Sequence, residues 1–213
     1  MRTNVMLWVC LNIEREDIFN KRIIEVGSQD VNGTVRPLIM KYRPREYIGV
    51  DMVAGKNVDL VVDASRLTQE FGERSFDVVI STEMLEHVRD WRNVIHNLKA
   101  VLKEGGLLII STVSKGFPYH AYPYDFWMYE IQDISRIFSD MEIIKLDTDA
   151  ESGVLMKARK PINFVENRCD DIKLYSIVLG KRVENPPEKI KYGMLLRQKA
   201  IKIAHQALEK FSK

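Results

Sequence analysis

Lys21-Arg22-Ile23-Ile24-Glu25-Val26-Gly27-Ser28-Gln29-Asp30-Val31-Asn32-Gly33 is the stretch that decides how the rest of the chain is read. Ile23, Ile24 and Val26 make an apolar run long enough for a buried strand. The run then breaks into small and turn-forming residues, with the acid Glu25 near the strand's end. In a parallel α/β sheet, such a junction sets backbone N–H groups at the carboxyl edge, where ligands bind. Gly27 and Gly33 do not complete the dinucleotide pattern G-x-G-x-x-G, and no G-K-[ST] follows to make a Walker loop.

Outward from this stretch the chain alternates. Residues 4–19 read as a helix ahead of the first strand, Arg22 to Val26. Downstream, Tyr47-Ile48-Gly49-Val50-Asp51 and Val58-Asp59-Leu60-Val61-Val62-Asp63 read as short strands that each end in an acid. Phe76 to Thr82 is a fourth strand and Leu107 to Val113 a fifth. Between them, Val94, Leu98, Val101 and Leu102 fall at helical spacing over Trp91 to Lys103, stopped by Gly105-Gly106. Glu130 to Phe138 reads as a helix, and Met141 to Asp147 with Val154 to Arg159 as an antiparallel pair. Lys173 to Val178 is a further strand candidate, and periodicity leaves open which late strand completes the sheet. Strands alternating with helices predict an α/β fold with a doubly wound, mostly parallel sheet.

The totals bound the function. A chain of 213 residues fits one domain with a sizeable core. We expect residues 1–183 to form it and 184–213, opened by Asn185-Pro186-Pro187, to be a linker and a basic amphipathic helix. The net charge of +2 argues against a dedicated nucleic-acid binder, so no nucleic-acid partner is expected. Residues 181–213 carry nine Lys/Arg against three Glu, the only marked asymmetry of charge. In the helix Tyr192 to Phe211, Leu196, Ala200, Ile203, Ala204, Ala207, Leu208 and Phe211 share one face. Packing on the domain or pairing in a homodimer is its expected role, with contact to an anionic membrane surface the lesser alternative. Cys10 and Cys169 stand far apart, outside any C-x-x-C, and read as reduced thiols. No His/Cys cluster has zinc-site spacing, so no metal is expected. The apolar run Val5 to Leu11 lacks a small-residue cleavage site, and no run reaches the ~18 apolar residues of a membrane span. A cytoplasmic location is expected.

Three strands end in acids, Glu25, Asp51 and Asp63, and a parallel sheet projects all three from one edge. An acid after the second strand can accept hydrogen bonds from two ribose hydroxyls, each worth about 1.5–3 kcal/mol. An acid after the third can accept from the exocyclic amine of adenine. Singly, each acid is most often a solvated strand end. In this order, behind a glycine loop, the three weigh together.

These segments resemble the class I S-adenosylmethionine-dependent methyltransferases, specifically the type 11 domain group, over about residues 20–160. Glu25-Val26-Gly27-Ser28 is similar to the first motif, Gly49-Val50-Asp51-Met52 to the second and Asp63-Ala64 to the third. Phe76 to Val88, ending Ser81-Thr82-Glu83-Met84-Leu85-Glu86-His87-Val88, resembles the fourth-strand motif. Leu102-Lys103-Glu104-Gly105-Gly106-Leu107-Leu108 resembles the turn into the fifth strand. The departure is in the first motif, where Gln29 and Val31 stand at usual glycine positions; some members carry a similar Gly-Ser-x-Asp-x-Asn-Gly loop. The resemblance implies a Rossmann-like sheet of about seven strands with helices on both faces and an antiparallel strand near the C-terminal end. It implies S-adenosylmethionine as cofactor and S-adenosylhomocysteine as product. Glu25, Gly27 and Ser28 would then frame the methionyl amine and Asp51 the ribose. Met52, Asp63 and Ala64 would meet the adenine, and Ser81 and Glu83 would close the loop beneath the methionine. An acid-lined rim suits a sulfonium and repels a pyrophosphate, which argues against a nicotinamide cofactor.

The segment Phe117 to Trp127 follows the fifth strand on the same edge, rich in rings with a few polar tips, as a small-molecule pocket requires. For a hydroxyl acceptor a base is useful, and His120 is the first candidate, with Asp125 orienting it or acting alone. The plainer reading makes His120 and Asp125 props of a Pro-rich loop. His87, a turn into a helix start, is expected to pack or cap. The sequence therefore predicts methyl transfer to a small-molecule or glycan acceptor, at oxygen, by in-line displacement. The competing reading is a regulatory protein that keeps the cofactor fold without turnover.

Overall fold

The computed structural model describes residues 1–120 and 125–186. Its strands are Arg22–Val26 (β1), Glu46–Asp51 (β2), Leu60–Val61 (β3), Phe76–Thr82 (β4), Leu102–Val113 (β5), Trp127–Met128 (β6), Glu142–Thr148 (β7), Gly153–Arg159 (β8), Leu174–Ser176 (β9) and Lys181–Val183 (β10). The helices are Thr3–Asn12 (α1), Arg15–Ile18 (α2), Arg36–Lys41 (α3), Leu67–Phe71 (α4), Trp91–Val101 (α5) and Ile131–Ile137 (α6). Seven strands form one sheet in the order β3-β2-β1-β4-β5-β8-β7, parallel through β5 and antiparallel at β8 and β7. The sheet therefore closes with the hairpin Glu142–Thr148 and Gly153–Arg159. Leu174–Ser176 instead joins β6 and β10 in a separate three-stranded antiparallel sheet. The predicted C-terminal helix, Tyr192 to Phe211, lies outside the described residues.

β1 is central, and helices cover both faces of the sheet, so its side chains are buried on both. Ile24 and Val26 join the face packed by Leu67 of α4, Trp91, Leu98 and Val101 of α5, and Ile134 of α6. Ile23 joins the opposite face with Val9 of α1, Ile13, Ile18 of α2 and Ile39 of α3. Because Leu98 has no exposed surface, Leu98→Ala should cost about 2–5 kcal/mol, read as a lowered urea midpoint with unchanged slope.

Three sequence expectations change at their boundaries. The helix expected over 4–19 breaks at Ile13, because Glu14 and Asp17 form a capping box that starts α2 afresh. The third strand contracts to Leu60–Val61, both exposed, since it pairs only with β2 at the sheet edge. The helix over Trp91 to Lys103 ends at Val101, and Leu102 already pairs with Phe76. The glycine pair then lies within an irregularity of β5, before Leu107 meets Val78.

The small sheet fixes the segment after Asp125. Phe126 N donates to Glu86 O at 2.8 Å, Tyr129 N to Val113 O at 2.8 Å, and Trp127 Nε1 to Val88 O at 2.9 Å. Asp125 is thereby pinned between the loops that leave β4 and β5.

Candidate active site

The carboxyl ends of β1 to β5 face one way, and the loops leaving them hold the residues the sequence singled out. Gly27 closes β1 with φ +81°, a left-handed conformation that favours glycine, and a Cβ built there would sit 2.7 Å from Met84 Cβ and Cγ. Its N–H and that of Ser28 both donate to Val50 O, at 2.9 and 3.0 Å, which folds the loop over the end of β2. A Cβ on Gly49 would lie 2.3 Å from Asn57 O, so only glycine allows that approach.

Side chains do the work that the absent glycines would do. Asp51 accepts from Gln29 N at 3.2 Å and from Val53 N at 3.3 Å, joining the β1 and β2 loops. Asp30 accepts from Gly33 N at 2.9 Å and Lys56 Nζ at 2.6 Å, and Val31 stands exposed. The loop is thus held by two carboxylates rather than by backbone freedom.

Glu25 is buried, and its Oε2 accepts from the Tyr47 hydroxyl at 2.6 Å. Burial pushes its pKa up to about 7, against the lowering effect of the Tyr47 hydrogen bond and the Arg36 charge. Met52 is exposed, and Ala64 begins the 3₁₀ turn Ala64–Arg66. Asp63 caps that turn, accepting from Ser65 N at 2.8 Å and Ser65 Oγ at 2.7 Å. Ser28 and Ser81 are turned inward. The Ser28 hydroxyl donates to Asn57 O at 3.1 Å, and Ser81 is fully buried with no hydrogen-bond partner among the described residues. Glu83 has φ +53° and is engaged by the chain's start: Arg2 N donates to Oε2 at 2.7 Å and the Arg2 guanidinium pairs with Oε1. Arg2 also reaches Asp149 at 3.1 Å and lies 4.8 Å from the centre of the Phe117 ring. The chain's start therefore bridges the loops after β4 and β5.

The acceptor-side candidates meet in one cluster. Asp125 Oδ2 accepts from His120 N at 2.7 Å and lies 3.1 Å from His120 Nδ1, while Asp125 Oδ1 lies 3.1 Å from His87 Nδ1. The two imidazoles meet edge to face at 5.0 Å, and Phe117 backs His120 at 5.2 Å. Burial works against charge on Asp125, yet the hydrogen bonds from His120 and His87 hold it well below the usual carboxylate range. His87 therefore does more than pack or cap. Below it, Glu86 is fully buried, its Oε2 accepting from the Thr112 hydroxyl at 2.9 Å, and burial raises its pKa. Glu86 stood in the sequence only as part of the fourth-strand motif and Tyr47 only as part of a strand, neither with a site role, and Arg2 had none; the role of His87 becomes legible only once β4 and β5 are known to be neighbours.

Among the described residues no helix is long and apolar enough to cross a membrane. Residues 12–149 match the family described as a methyltransferase domain. The chain is 30% identical over 114 residues to a ubiquinone biosynthesis O-methyltransferase of Histophilus somni, a match covering 46% of this chain and 47% of that one. It thus spans about half the length of such relatives. Among solved structures, the 1,6-didemethyltoxoflavin N1-methyltransferase of Burkholderia thailandensis superposes with TM-score 0.59 at 14% identity, covering 74% of this chain and 79% of that one. The [4+2]-cyclase SpnF superposes with TM-score 0.56 at 14% identity, covering 75% and 81%. These superpositions show the shared fold. With the family match spanning well over half the chain and a sheet order that fits the fold shared with these solved structures, the chain belongs to the methyltransferase domain family and has its Rossmann-like fold.

Proposed function

We propose that this enzyme transfers the methyl group of S-adenosylmethionine to a hydroxyl oxygen of a small-molecule or sugar-containing acceptor. The observation that carries the reading is the His87–Asp125–His120 cluster beside the loops of the carboxyl edge. Methyl transfer is an in-line displacement, so the protein aligns acceptor oxygen, methyl carbon and sulfur in a site shielded from water. A hydroxyl must also lose its proton. Asp125, accepting at Nδ1 of both rings, fixes each imidazole so that Nε2 carries the lone pair, and His120 presents that lone pair to the acceptor. The O-methyltransferase name of the curated relatives supports transfer to oxygen, and the 1,6-didemethyltoxoflavin bound by the Burkholderia thailandensis methyltransferase supports a small acceptor.

In the same reading, Glu25 and the loop Gly27–Ser28 receive the methionyl amine, with Ser81 and Glu83 shaping the floor beneath it. Asp51 takes the ribose, and Met52 with Asp63 and Ala64 flanks the adenine. Cys10 and Cys169 are both free thiols, in keeping with a cytoplasmic setting.

The raised pKa of Glu25 gives a signed prediction. The cofactor's cationic end favours the carboxylate, whereas the empty pocket below pH 7 holds the carboxylic acid. Binding must then expel a proton, and each pH unit below about 7 weakens affinity by up to tenfold, about 1.4 kcal/mol. Calorimetry from pH 8 to 5.5 should show this loss, and Glu25→Gln should bind weakly at every pH with the slope gone. Without cofactor the sign reverses: the protonated carboxyl favours the folded state below pH 4.5, and that contribution fades as pH rises through about 7.

The function itself is tested by incubating the enzyme and S-adenosylmethionine with phenolic, polyol and sugar-nucleotide acceptors and measuring S-adenosylhomocysteine. Acceptor-dependent product with an O-methyl signal supports the proposal. Cofactor binding with no turnover across the set would favour the non-catalytic reading, and the SpnF fold shows that this scaffold also serves other chemistry.

A further inference from the structure

Glu86, His87 and His120 each present one ligand-type atom to a common space, and the three atoms lie within 4.8 Å of one another. Spacing along the chain hides this set, because Glu86 and His87 follow β4 whereas His120 follows β5, its neighbour in the sheet. Two further observations single it out. Glu86 is fully buried, and while Oε2 takes the Thr112 hydroxyl, Oε1 has no hydrogen-bond partner among the described residues and lies 4.0 Å from His87 Nε2. A buried carboxylate oxygen left this way is costly unless a positive group meets it. Secondly, Asp125 faces Nδ1 of both imidazoles at 3.1 Å, the arrangement in which an outer carboxylate fixes the orientation and tautomer of a metal-ligating histidine.

We infer that Glu86 Oε1, His87 Nε2 and His120 Nε2 form a site for one divalent transition-metal ion at the acceptor face. Two imidazoles and one carboxylate suit zinc and its first-row neighbours, and three protein ligands leave a coordination position open. Ligand atoms around a tetrahedral zinc stand about 3.3 Å apart, given bonds of about 2.0–2.2 Å. The 4.0 Å between Glu86 and His87 closes to that with a small shift, and His120, on an exposed loop, can follow. Glu86 and Asp125 supply two carboxylates to balance the ion's charge. An acceptor hydroxyl in the open position would be acidified by the ion. The inference rests on the cluster forming the acceptor face, not on His120 taking the proton: ion and proton compete for one lone pair, and a bound ion replaces the imidazole as activator.

The test uses the full, tag-free chain stripped with a chelator. Cobalt(II) is titrated by its visible absorption and zinc by calorimetry, with S-adenosylhomocysteine binding measured on the same samples. The expected result is one ion per chain, with affinity at least about tenfold weaker in Glu86→Gln and His120→Ala and about 10–100-fold weaker in Asp125→Asn. His96→Ala, outside the cluster, should leave it unchanged. His120→Ala alters only an exposed loop and so remains informative if Glu86→Gln misfolds. No stoichiometric ion, or equal affinity in His120→Ala and the unsubstituted chain, overturns the site. If S-adenosylhomocysteine still binds in that case, the methyltransferase reading stands; if ions bind and it does not, that reading is the one that fails.

Discussion

Gly27→Val should abolish binding of S-adenosylhomocysteine, weakening it more than about 100-fold, or ~2.7 kcal/mol. Two effects add at this position. A valine at φ +81° is strained by about 1–3 kcal/mol, and its Cβ would lie 2.7 Å from Met84 Cβ and Cγ. The loop must therefore move, carrying with it the N–H groups that now fold over Val50. Gly27→Ala should show the same loss in smaller measure, because it brings the contact with Met84 but less backbone strain. Far-UV circular dichroism checks that the fold survives, and calorimetry reads the affinity. Undiminished binding in the valine variant would place the pocket elsewhere.

Asp125→Asn should lower kcat by about 10²–10⁴-fold while leaving cofactor affinity within about twofold. The substitution keeps the shape of the side chain but replaces one acceptor oxygen with a donor. One imidazole must then turn its lone pair toward residue 125 and away from the acceptor. His120→Ala should fall in the same range. The double variant should be little worse than either single one, because the members act as a unit. Full turnover of His120→Ala at saturating acceptor would reduce the cluster to a loop support.

How much of this was legible in the sequence depends on where each signal resided. β1, β2 and β4 appear within a residue of expectation because their apolar runs are buried on both faces and flanked by turn residues. Boundaries failed where a side chain or an edge decided them: the Glu14–Asp17 capping box split the first helix, and β3, pairing on one side only, kept two residues. The late strands were ambiguous because the stretches Val154–Arg159 and Lys173–Val178 are equally short and similarly apolar, and only tertiary pairing assigns them to different sheets. Among site residues, Glu25, Gly27 and Asp51 stood out because each ends a strand at the ligand edge. Ser28 and Ser81 carry the expected residue types, yet their hydroxyls turn inward, an orientation no motif specifies. Glu86 was visible only as a motif position, and its burial was not: a carboxylate in a helix start reads as solvated until the fold buries it against Thr112.

Crystals grown with S-adenosylhomocysteine give the most direct test of the central claim, that the edge running from Gly27 through Asp51 to Asp63 is the cofactor pocket. The expected density places the ribose hydroxyls on the Asp51 carboxylate, the methionyl amine beside Glu25 and the adenine between Met52 and Asp63–Ala64, with the sulfur directed toward His120. Density at another edge of the sheet, or a ribose that does not touch Asp51, would contradict the account.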